Sequence, residues 1–197
     1  MKIIIATKNQ GKVKEMMQAF SSLDVQLVSL AEYPKTGEAV EDGVTFAENA
    51  LIKARFYAQK TGCACLADDS GMEVDALSGA PGVYSARFAG EEATDAENNQ
   101  KLAESLKAKG LESSAGRYRC VLAFVDGKGT EILTDGSCEG IVRITSKGTG
   151  GFGYDPYFYL PEKKKTMAEL TLTEKDQVSH RGIALRKMTE KLAGYLL

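Results

Sequence analysis

Residues 63–71 read CACLADDSG, and the interpretation of the whole chain depends on this stretch. Its apolar part predicts a buried strand, and the adjacent acids Asp68 and Asp69 follow where that strand is expected to end. Neighbouring carboxylates repel each other and lose favourable hydration when they are buried. The stretch leaves two interpretations: the acids lie in a solvated turn, or a positive group lies between them and a ligand.

Strands and helices alternate on both sides of this stretch. Hydrophobic patterning predicts strands over residues 2–6, 25–30, 63–69, 72–77, 118–126 and 131–142, and an aromatic strand after the glycine-rich residues 148–153. Helices are predicted over residues 13–20, 46–60, 95–109 and 180–196. This order predicts an α/β fold with a mixed sheet and flanking helices. Because no linker is obvious, we expect a single domain over residues 1–197.

Composition limits the classes of partner. The net charge of −2 argues against a general nucleic-acid partner, which needs a basic surface, but it permits a local basic pocket for a small anion. The apolar run at the N-terminus is too short for a signal peptide, and nothing later is long enough to span a bilayer. We therefore expect a cytoplasmic protein with no membrane partner. Its four cysteines are expected to be reduced and mostly buried.

Two polar segments are candidates for an anion and metal site. TKNQGK, residues 7–12, lies between the first strand and the first helix, where backbone N–H groups and Lys8 and Lys12 suit an anion. Its spacing is not that of a Walker A loop, and a plain polar turn remains an alternative. Acids at 38, 41 and 42, together with Asp68 and Asp69, could share Mg²⁺, although solvated turns would also explain them.

Two later segments suit a base. GGFGYDP, residues 150–156, places Phe152 between glycines, so that a flat ring can approach the phenyl face; a tight turn with a core aromatic is the alternative. SHRG, residues 179–182, holds the single histidine of the chain, His180, beside Arg181. Both side chains donate hydrogen bonds, as does the nearby Lys175, and clustered donors suit an acceptor-rich ligand such as a purine carbonyl.

Taken together, these motifs resemble one family. T-x-N-x-x-K, T-F-x-E-N-A-x-x-K-A, A-D-D-S-G, G-A-P-G-x-Y-S-A-R, G-T-G-G-F-G-Y-D-P and S-H-R-G occur in this order. The set resembles the inosine triphosphate pyrophosphatase family, the dITP/XTP pyrophosphatases, from Lys2 to about Leu192. The resemblance implies an elongated fold with two lobes around a central substrate cleft, and a homodimer. It also implies Mg²⁺-dependent hydrolysis of ITP, dITP and XTP to the monophosphate and pyrophosphate, which removes deaminated purines from the nucleotide pool.

The resemblance also assigns residues. Asp69 matches the general base, which also contacts the metal, and Glu41 matches a metal ligand. The triphosphate-binding segment comprises Thr7, Lys8, Asn9, Gln10, Gly11 and Lys12. Nucleotide contacts are implied for Ser70, Phe152, Gly153, Tyr154, Asp155, Lys175, His180 and Arg181. Asp42 stands where many relatives have Thr, a difference that bears on metal affinity.

Donors at His180 and Arg181 would face the 6-oxo group of hypoxanthine or xanthine and oppose the 6-amino group of adenine. They do not explain rejection of guanine, for which we expect a wall without a free acceptor near the 2-amino group. Two alternatives remain at this point: a pyrophosphatase of another modified nucleotide, of the pyrimidine or dUTP type, and a non-catalytic nucleotide sensor.

Overall fold

The computed structural model describes residues 1–196, and Leu197, the last residue of the predicted domain, lies outside this range. The described strands are β1 Lys2–Ile5, β2 Gln26–Ser29, β3 Ala64–Val74, β4 Ser113–Val125, β5 Glu131–Arg143, β6 Phe158–Leu160 and β7 Lys165–Thr166. The α-helices are α1 Gln10–Ala19, α2 Phe46–Thr61, α3 Asp95–Ala108, α4 Leu172–Val178 and α5 His180–Leu196. Short 3₁₀ helices span Leu30–Glu32, Asp75–Leu77, Gly82–Arg87, Asp155–Tyr157 and Met167–Glu169.

The strands form one mixed sheet in the order β2-β1-β3-β4-β5-β6-β7. β1 pairs in parallel with β2 and with β3, with Ile4 opposite Val28 and Cys65. β6 pairs antiparallel with β5 and with β7, with Tyr159 opposite Ile141 and Thr166. The predicted α/β fold with a mixed sheet and flanking helices is therefore confirmed.

One element differs from the sequence prediction in a way that matters for the site. Residues 63–77 were expected to form two strands interrupted at Ser70 and Gly71, but β3 runs unbroken over Ala64–Val74. Because β3 lies between β1 and β4, sheet pairing outweighs the local turn preference of the Ser-Gly pair. Asp68 and Asp69 are therefore inside a strand, where successive side chains point to opposite faces.

The chain divides into two compact units. Unit 1 comprises Met1–Asp69, Cys120–Gly136 and the chain from Arg181 onward, and unit 2 comprises Ser70–Arg119 and Ser137–His180. The predicted cleft, the elongated shape and the single domain stay predictions.

Each unit has its own apolar core. In unit 1, α1 and α5 contribute apolar stripes that pack with β1, β3 and β4; this core includes Ile3, Ile5, Met16, Phe20, Leu66, Leu122, Phe124, Leu185, Met188 and Leu192. In unit 2, α3 and four strands bury Met72, Val74, Leu102, Leu106, Tyr118, Cys138, Val142, Tyr154, Phe158, Leu160 and Met167. Burial of side chains of this size stabilises a fold by about 1.5–3 kcal/mol each, so each unit has a substantial core.

All four cysteines are free thiols, and Cys65, Cys120 and Cys138 are buried, as predicted. Within residues 1–196, no helix combines the length and the apolar character needed to cross a membrane.

Candidate active site

Asp68 is fully buried in unit 1 among positively charged side chains. Its Oδ1 accepts a hydrogen bond from Lys12 Nζ on α1, and its Oδ2 accepts one from Arg181 Nε on α5 at 2.8 Å. The same guanidinium donates from Nη1 to Glu15 Oε2 at 2.8 Å. Glu15, Arg181 and Asp68, which are buried, and Lys12, which is half-buried, thus form a row of alternating charges from three elements.

These contacts keep Asp68 ionised. Burial alone would raise the pKa of its carboxyl, but the charges of Arg181 and Lys12 and their hydrogen bonds outweigh burial and hold this pKa well below its usual value. Cys120 Sγ also lies 3.2 Å from Asp68 Oδ2 and donates to it. Burial, followed by the charge of Asp68, raises the pKa of this thiol, so it remains a neutral donor.

Asp69, the next residue, has a different environment. It is 9% exposed, and its Oδ2 is buried with no hydrogen-bond partner among the described residues. Burial raises the pKa of Asp69 to about 6; Lys53 and Lys12 oppose this shift, whereas Asp68 and Glu41 add to it. A carboxyl with a pKa near neutrality and an unsatisfied oxygen is suited to accept a proton or to bind a cation.

Lys53 on α2 connects the loop that contains Glu38, Glu41 and Asp42 to β3. Its Nζ lies 2.7 Å from Glu41 Oε2 and donates to the backbone oxygen of Asp68 at 3.1 Å. The N-terminus of α2 holds the loop, since Gly43 N–H donates to Asn49 Oδ1 at 2.8 Å. A Cβ on Gly43 would lie 2.7 Å from that oxygen, so the close approach requires glycine.

The segment of residues 7–12 forms the N-terminus of α1. Asn9 is the N-cap, with its side-chain oxygen accepting from Lys12 N–H at 3.1 Å, and Thr7 Oγ1 accepts from Asn9 N–H at 3.2 Å. Lys8 pairs with Glu38 and is largely exposed. A cavity of about 190 Å³ opens here, lined by Ala6, Thr7, Lys8, Leu30, Glu38, Ala39, Glu41, Lys53 and Tyr57.

The residues in unit 1 fit a hard divalent cation. Within residues 1–196, no group of three or more His, Cys, Asp or Glu side chains has the arrangement of a complete metal cage. Glu41 and Asp69 nevertheless offer carboxylate oxygens, one of them without a partner, and their charges interact. Mg²⁺ is commonly held by one or two carboxylates while water and phosphate oxygens complete its coordination, so an incomplete protein set suits this ion.

In unit 2, Asp155 organises the predicted base-binding segment. Its Oδ2 accepts from Lys175 Nζ at 2.7 Å and from Phe152 N–H at 3.0 Å, and its Oδ1 accepts from Tyr118 Oη at 3.2 Å. Lys175 Nζ also lies 4.4 Å from the centroid of the Phe152 ring. Asp155 and Lys175 are both buried, so this ion pair is shielded from solvent.

The α3 helix holds the glycine-rich loop at one residue. Gly153 N–H donates to Asp95 Oδ2 at 2.7 Å, and Gly153 O accepts from Asn99 Nδ2 at 2.9 Å. Gly151 has φ +74°, and a Cβ there would lie 2.0 Å from Asp155 Oδ2. The backbone on both sides of Phe152 is thereby fixed. Tyr154, which follows, is buried and donates to Ser85 O at 2.8 Å.

The sequence-predicted site residues fall into two groups. Unit 1 contains Thr7, Lys8, Asn9, Gln10, Gly11, Lys12, Glu41, Asp69 and Arg181. Unit 2 contains Ser70, Phe152, Gly153, Tyr154, Asp155, Lys175 and His180. Arg181 lies beside Asp68, so the late S-H-R-G motif reaches the early acidic motif within unit 1. His180 is buried and stacks on Tyr118 in unit 2.

Sequence reasoning gave no role to several residues that build this environment, namely Glu15, Lys53, Asp95, Asn99, Tyr118 and Cys120. Lys53 was available as the lysine of the T-F-x-E-N-A-x-x-K-A motif. For Glu15 and Cys120, no sequence signal existed, since they matter only through contacts with residues far along the chain.

On the mixed α/β sheet, Lys12 and Lys53 lie near Asp69, a carboxylate with a raised pKa, and Lys12 belongs to the N-terminus of α1. This combination defines an enzyme suited to phosphorylated substrates. The sequence pattern of the Ham1 family matches residues 3–191, and the chain belongs to this family. The dITP/XTP pyrophosphatase of Desulforamulus reducens is 51% identical over 192 residues, covering 98% of this chain and 96% of its own. That of Bacillus anthracis is 45% identical over 197 residues, covering 99% and 98%. A HAM1 protein from Coxiella burnetii superposes with a TM-score of 0.90 at 39% identity, covering 98% and 99%.

Proposed function

We propose that this protein hydrolyses the non-standard purine nucleoside triphosphates XTP, ITP and dITP to the monophosphate and pyrophosphate. The observation that carries the proposal is Asp69, a buried carboxylate with an unpartnered oxygen and a pKa raised by burial to about 6. Further support comes from the relatives called dITP/XTP pyrophosphatase, which match nearly the whole chain.

The phosphate end of the reaction uses unit 1. Backbone N–H groups at the start of α1, with Lys8 and Lys12, bind the triphosphate. Asp69 removes a proton from a water molecule, which attacks the α-phosphorus. The bond from this phosphorus to the oxygen that bridges to the β-phosphorus breaks, and pyrophosphate leaves with the electron pair. Positioned proton transfer of this kind contributes about 10²–10⁴ in rate.

Mg²⁺ is the cofactor that the oxygen ligands favour. Bound by Glu41 and Asp69, it would neutralise charge on the phosphate oxygens. Lys53 holds Glu41 at 2.7 Å and so fixes one of the two proposed ligands. Asp42 is adjacent to Glu41, and its carboxylate adds to the negative potential of the loop.

The base end uses residues of unit 2. Phe152 offers a ring face for stacking, and His180 donates to the 6-oxo group, which adenine lacks. Arg181, whose Nε and Nη1 donate to Asp68 and Glu15 in unit 1, stays a prediction as a second donor. Asp155, Lys175, Gly153, Tyr154 and Ser70 complete the nucleotide contacts in this proposal. A mismatched donor in a buried site supports about 10⁴-fold discrimination or more, which is the selectivity expected for ITP over ATP.

We further propose a cytoplasmic homodimer that binds neither nucleic acid nor membrane. Nucleotide-pool substrates are cytoplasmic, and the four free thiols suit a reducing compartment. Sedimentation of the purified protein at several concentrations measures the oligomeric state, and a monomer at every concentration would contradict the dimer.

A substrate panel tests the proposed reaction. ITP, XTP, dITP, GTP, ATP and dUTP are assayed for pyrophosphate release with Mg²⁺ and after treatment with EDTA. We expect fast release from the first three with Mg²⁺ only. Preferred hydrolysis of dUTP would favour the alternative, a pyrophosphatase of another modified nucleotide. Tight binding of ITP without turnover would indicate a sensor, and release of orthophosphate would contradict attack at the α-phosphorus.

A further inference from the structure

Tyr118 on β4 lies in unit 2 against the single histidine of the chain, although no motif assigns this tyrosine a role. Its ring stacks on the His180 imidazole with centroids 4.5 Å apart and planes inclined by 8°. Phe158 packs against Tyr118 at 4.6 Å and 53°. Tyr118 is 6% exposed and belongs to the apolar core of unit 2. The imidazole therefore stacks on a ring that the core itself fixes.

The hydroxyl of the same tyrosine reaches the second predicted base-binding group. Tyr118 Oη donates to Asp155 Oδ1 at 3.2 Å, while Asp155 Oδ2 accepts from Lys175 Nζ and from Phe152 N–H. Through Asp155, Tyr118 is linked to the backbone that presents the Phe152 ring. One side chain thus contacts both the predicted donor to the base edge and the carboxylate beneath the predicted stacking surface.

This arrangement bears on hydrogen-bond direction. The χ2 torsion of histidine has a broad distribution, so the plane of an imidazole is set by its packing. Its N–H groups lie in that plane, and a hydrogen bond weakens steeply when its donor is misaligned. A parallel ring at stacking distance restricts the imidazole to one plane and therefore restricts the direction in which it donates.

We propose that Tyr118 is a positioning residue for base selection, which orients the His180 ring by stacking and Asp155 by its hydroxyl. This inference rests on the proposed function, because it takes His180 and Asp155 as base-binding groups. Tyr118 contacts no reacting atom in this scheme, so its removal should affect KM and selectivity more than kcat.

Three variants separate the two contacts. Tyr118→Leu removes the ring and the hydroxyl, Tyr118→Phe removes the hydroxyl alone, and Tyr159→Leu is a matched control in the same unit. The Tyr159 ring lies under Arg143, 3.5 Å from its Cζ. We expect Tyr118→Leu to raise KM for ITP about 3- to 10-fold, the effect of one lost aromatic pair, and to lower the ITP:ATP ratio of kcat/KM. The Phe variant should lose less, and the control should keep both values.

A second readout does not depend on activity. Because the chain has one histidine, the Hδ2 and Hε1 resonances of His180 are unambiguous in NMR spectra of the full-length protein. The Tyr118 ring should shift them upfield in the wild type and in Tyr118→Phe, but not in Tyr118→Leu. The wild-type and Phe spectra test the stacking even if the Leu variant does not fold.

Equal His180 shifts in Tyr118→Leu and the wild type would overturn the stacking. A lost shift with unchanged KM and unchanged selectivity would overturn the positioning role. A wild-type protein that shows the shift but does not hydrolyse ITP would refute the proposed function while supporting the contact.

Discussion

Asp68 and Asp69 are adjacent in sequence, yet the two sides of β3 give them opposite environments. On the Asp68 side, Lys12, Arg181 and Cys120 all donate to one carboxylate. On the Asp69 side, burial dominates and one oxygen has no partner among residues 1–196. The pKa falls at the first residue and rises to about 6 at the second. Strand alternation therefore lets two like charges be neighbours while one serves the structure and the other is available for chemistry.

Among the substitutions that test this difference between the two acids, we expect the largest effect on activity from a change at Asp69. Asp69→Asn removes the proposed base and should lower pyrophosphate release from ITP by at least about 10²–10⁴-fold, while the fold remains intact. Pyrophosphate assays and thermal unfolding measure the two effects. Asp135→Asn is the matched control, because Asp135 is an exposed acid in unit 1 paired with Lys187 at 3.3 Å. A rate near that of the wild type would remove Asp69 from its role.

The corresponding change at Asp68 should act first on stability. Asp68→Asn leaves the charge of Lys12 unbalanced, because Arg181 keeps Glu15 as its partner, and breaking a buried pair in this way costs about 3–5 kcal/mol. The free energy of unfolding, measured in urea, should fall by this amount. Asp135→Asn should change it by only about 0–1 kcal/mol, as for other exposed pairs. Equal losses in the two variants would show that the row from Glu15 to Lys12 contributes little.

Titration of the two carboxyl groups tests the same difference between Asp68 and Asp69 and needs no substrate. Carboxyl ¹³C NMR of the metal-free protein should show Asp69 titrating near pH 6, whereas Asp68 stays ionised to much lower pH. Mg²⁺ should lower the Asp69 midpoint, because a bound cation favours the ionised form. An unchanged midpoint at saturating Mg²⁺ would argue against Asp69 as a metal ligand.

The same pKa values determine whether each acid raises or lowers the free energy of unfolding as the pH changes. The pKa of Asp69 is raised from 3.8 to about 6 in the folded state. Its contribution to stability is therefore fully present below pH 3.8 and is lost as pH rises through about 6. Above pH 6, the free energy of unfolding of Asp69→Asn should exceed that of the wild type, and this excess should shrink as the pH falls below 6. Asp68 has the opposite sign, because its lowered pKa gives stability that is lost only as pH falls through its folded value.

Local patterns in the sequence correctly predicted the mixed α/β fold, the starts of α2, α3 and α5, and the free thiols, whereas α1 begins at Gln10, three residues before its predicted start. The capping box at Thr45 and Glu48 marks the start of α2, as expected. The short α4 was missed, although Thr171 and Glu174 form the same signal before it. β3 was split because Ser70 and Gly71 favour a turn locally, whereas its position between two strands is a tertiary property.

The environments of Asp68 and Asp69 could not be predicted from the sequence, because they also depend on tertiary contacts. Arg181 is 113 residues from Asp68, and no local pattern relates them. The strand predicted over residues 63–69 already contained both acids, and alternation applied to it would have placed their side chains on opposite faces. The sequence still could not have shown which face carries Lys12 and which carries Lys53, since that depends on how α1 and α2 pack.

The smallest expected effect concerns the thiol beside Asp68. Cys120→Ala removes one donor from Asp68 Oδ2 but leaves Arg181 and Lys12 in place. A thiol is a weak donor, so we expect a loss of about 1 kcal/mol beyond that caused by lost burial. Cys65→Ala supplies the control, because Cys65 is equally buried in β3. Pyrophosphate release should stay within about twofold of the wild type, since two strong donors still keep Asp68 ionised.

The difference in unfolding free energy between the two alanine variants measures the thiol–carboxylate hydrogen bond. Cys120→Ser should recover part of that difference, because a hydroxyl donates to the same oxygen. If Cys120→Ala instead lowers turnover as strongly as Asp69→Asn, then the Asp68 side of β3 takes part in the chemistry, and the division of roles between the two acids is wrong.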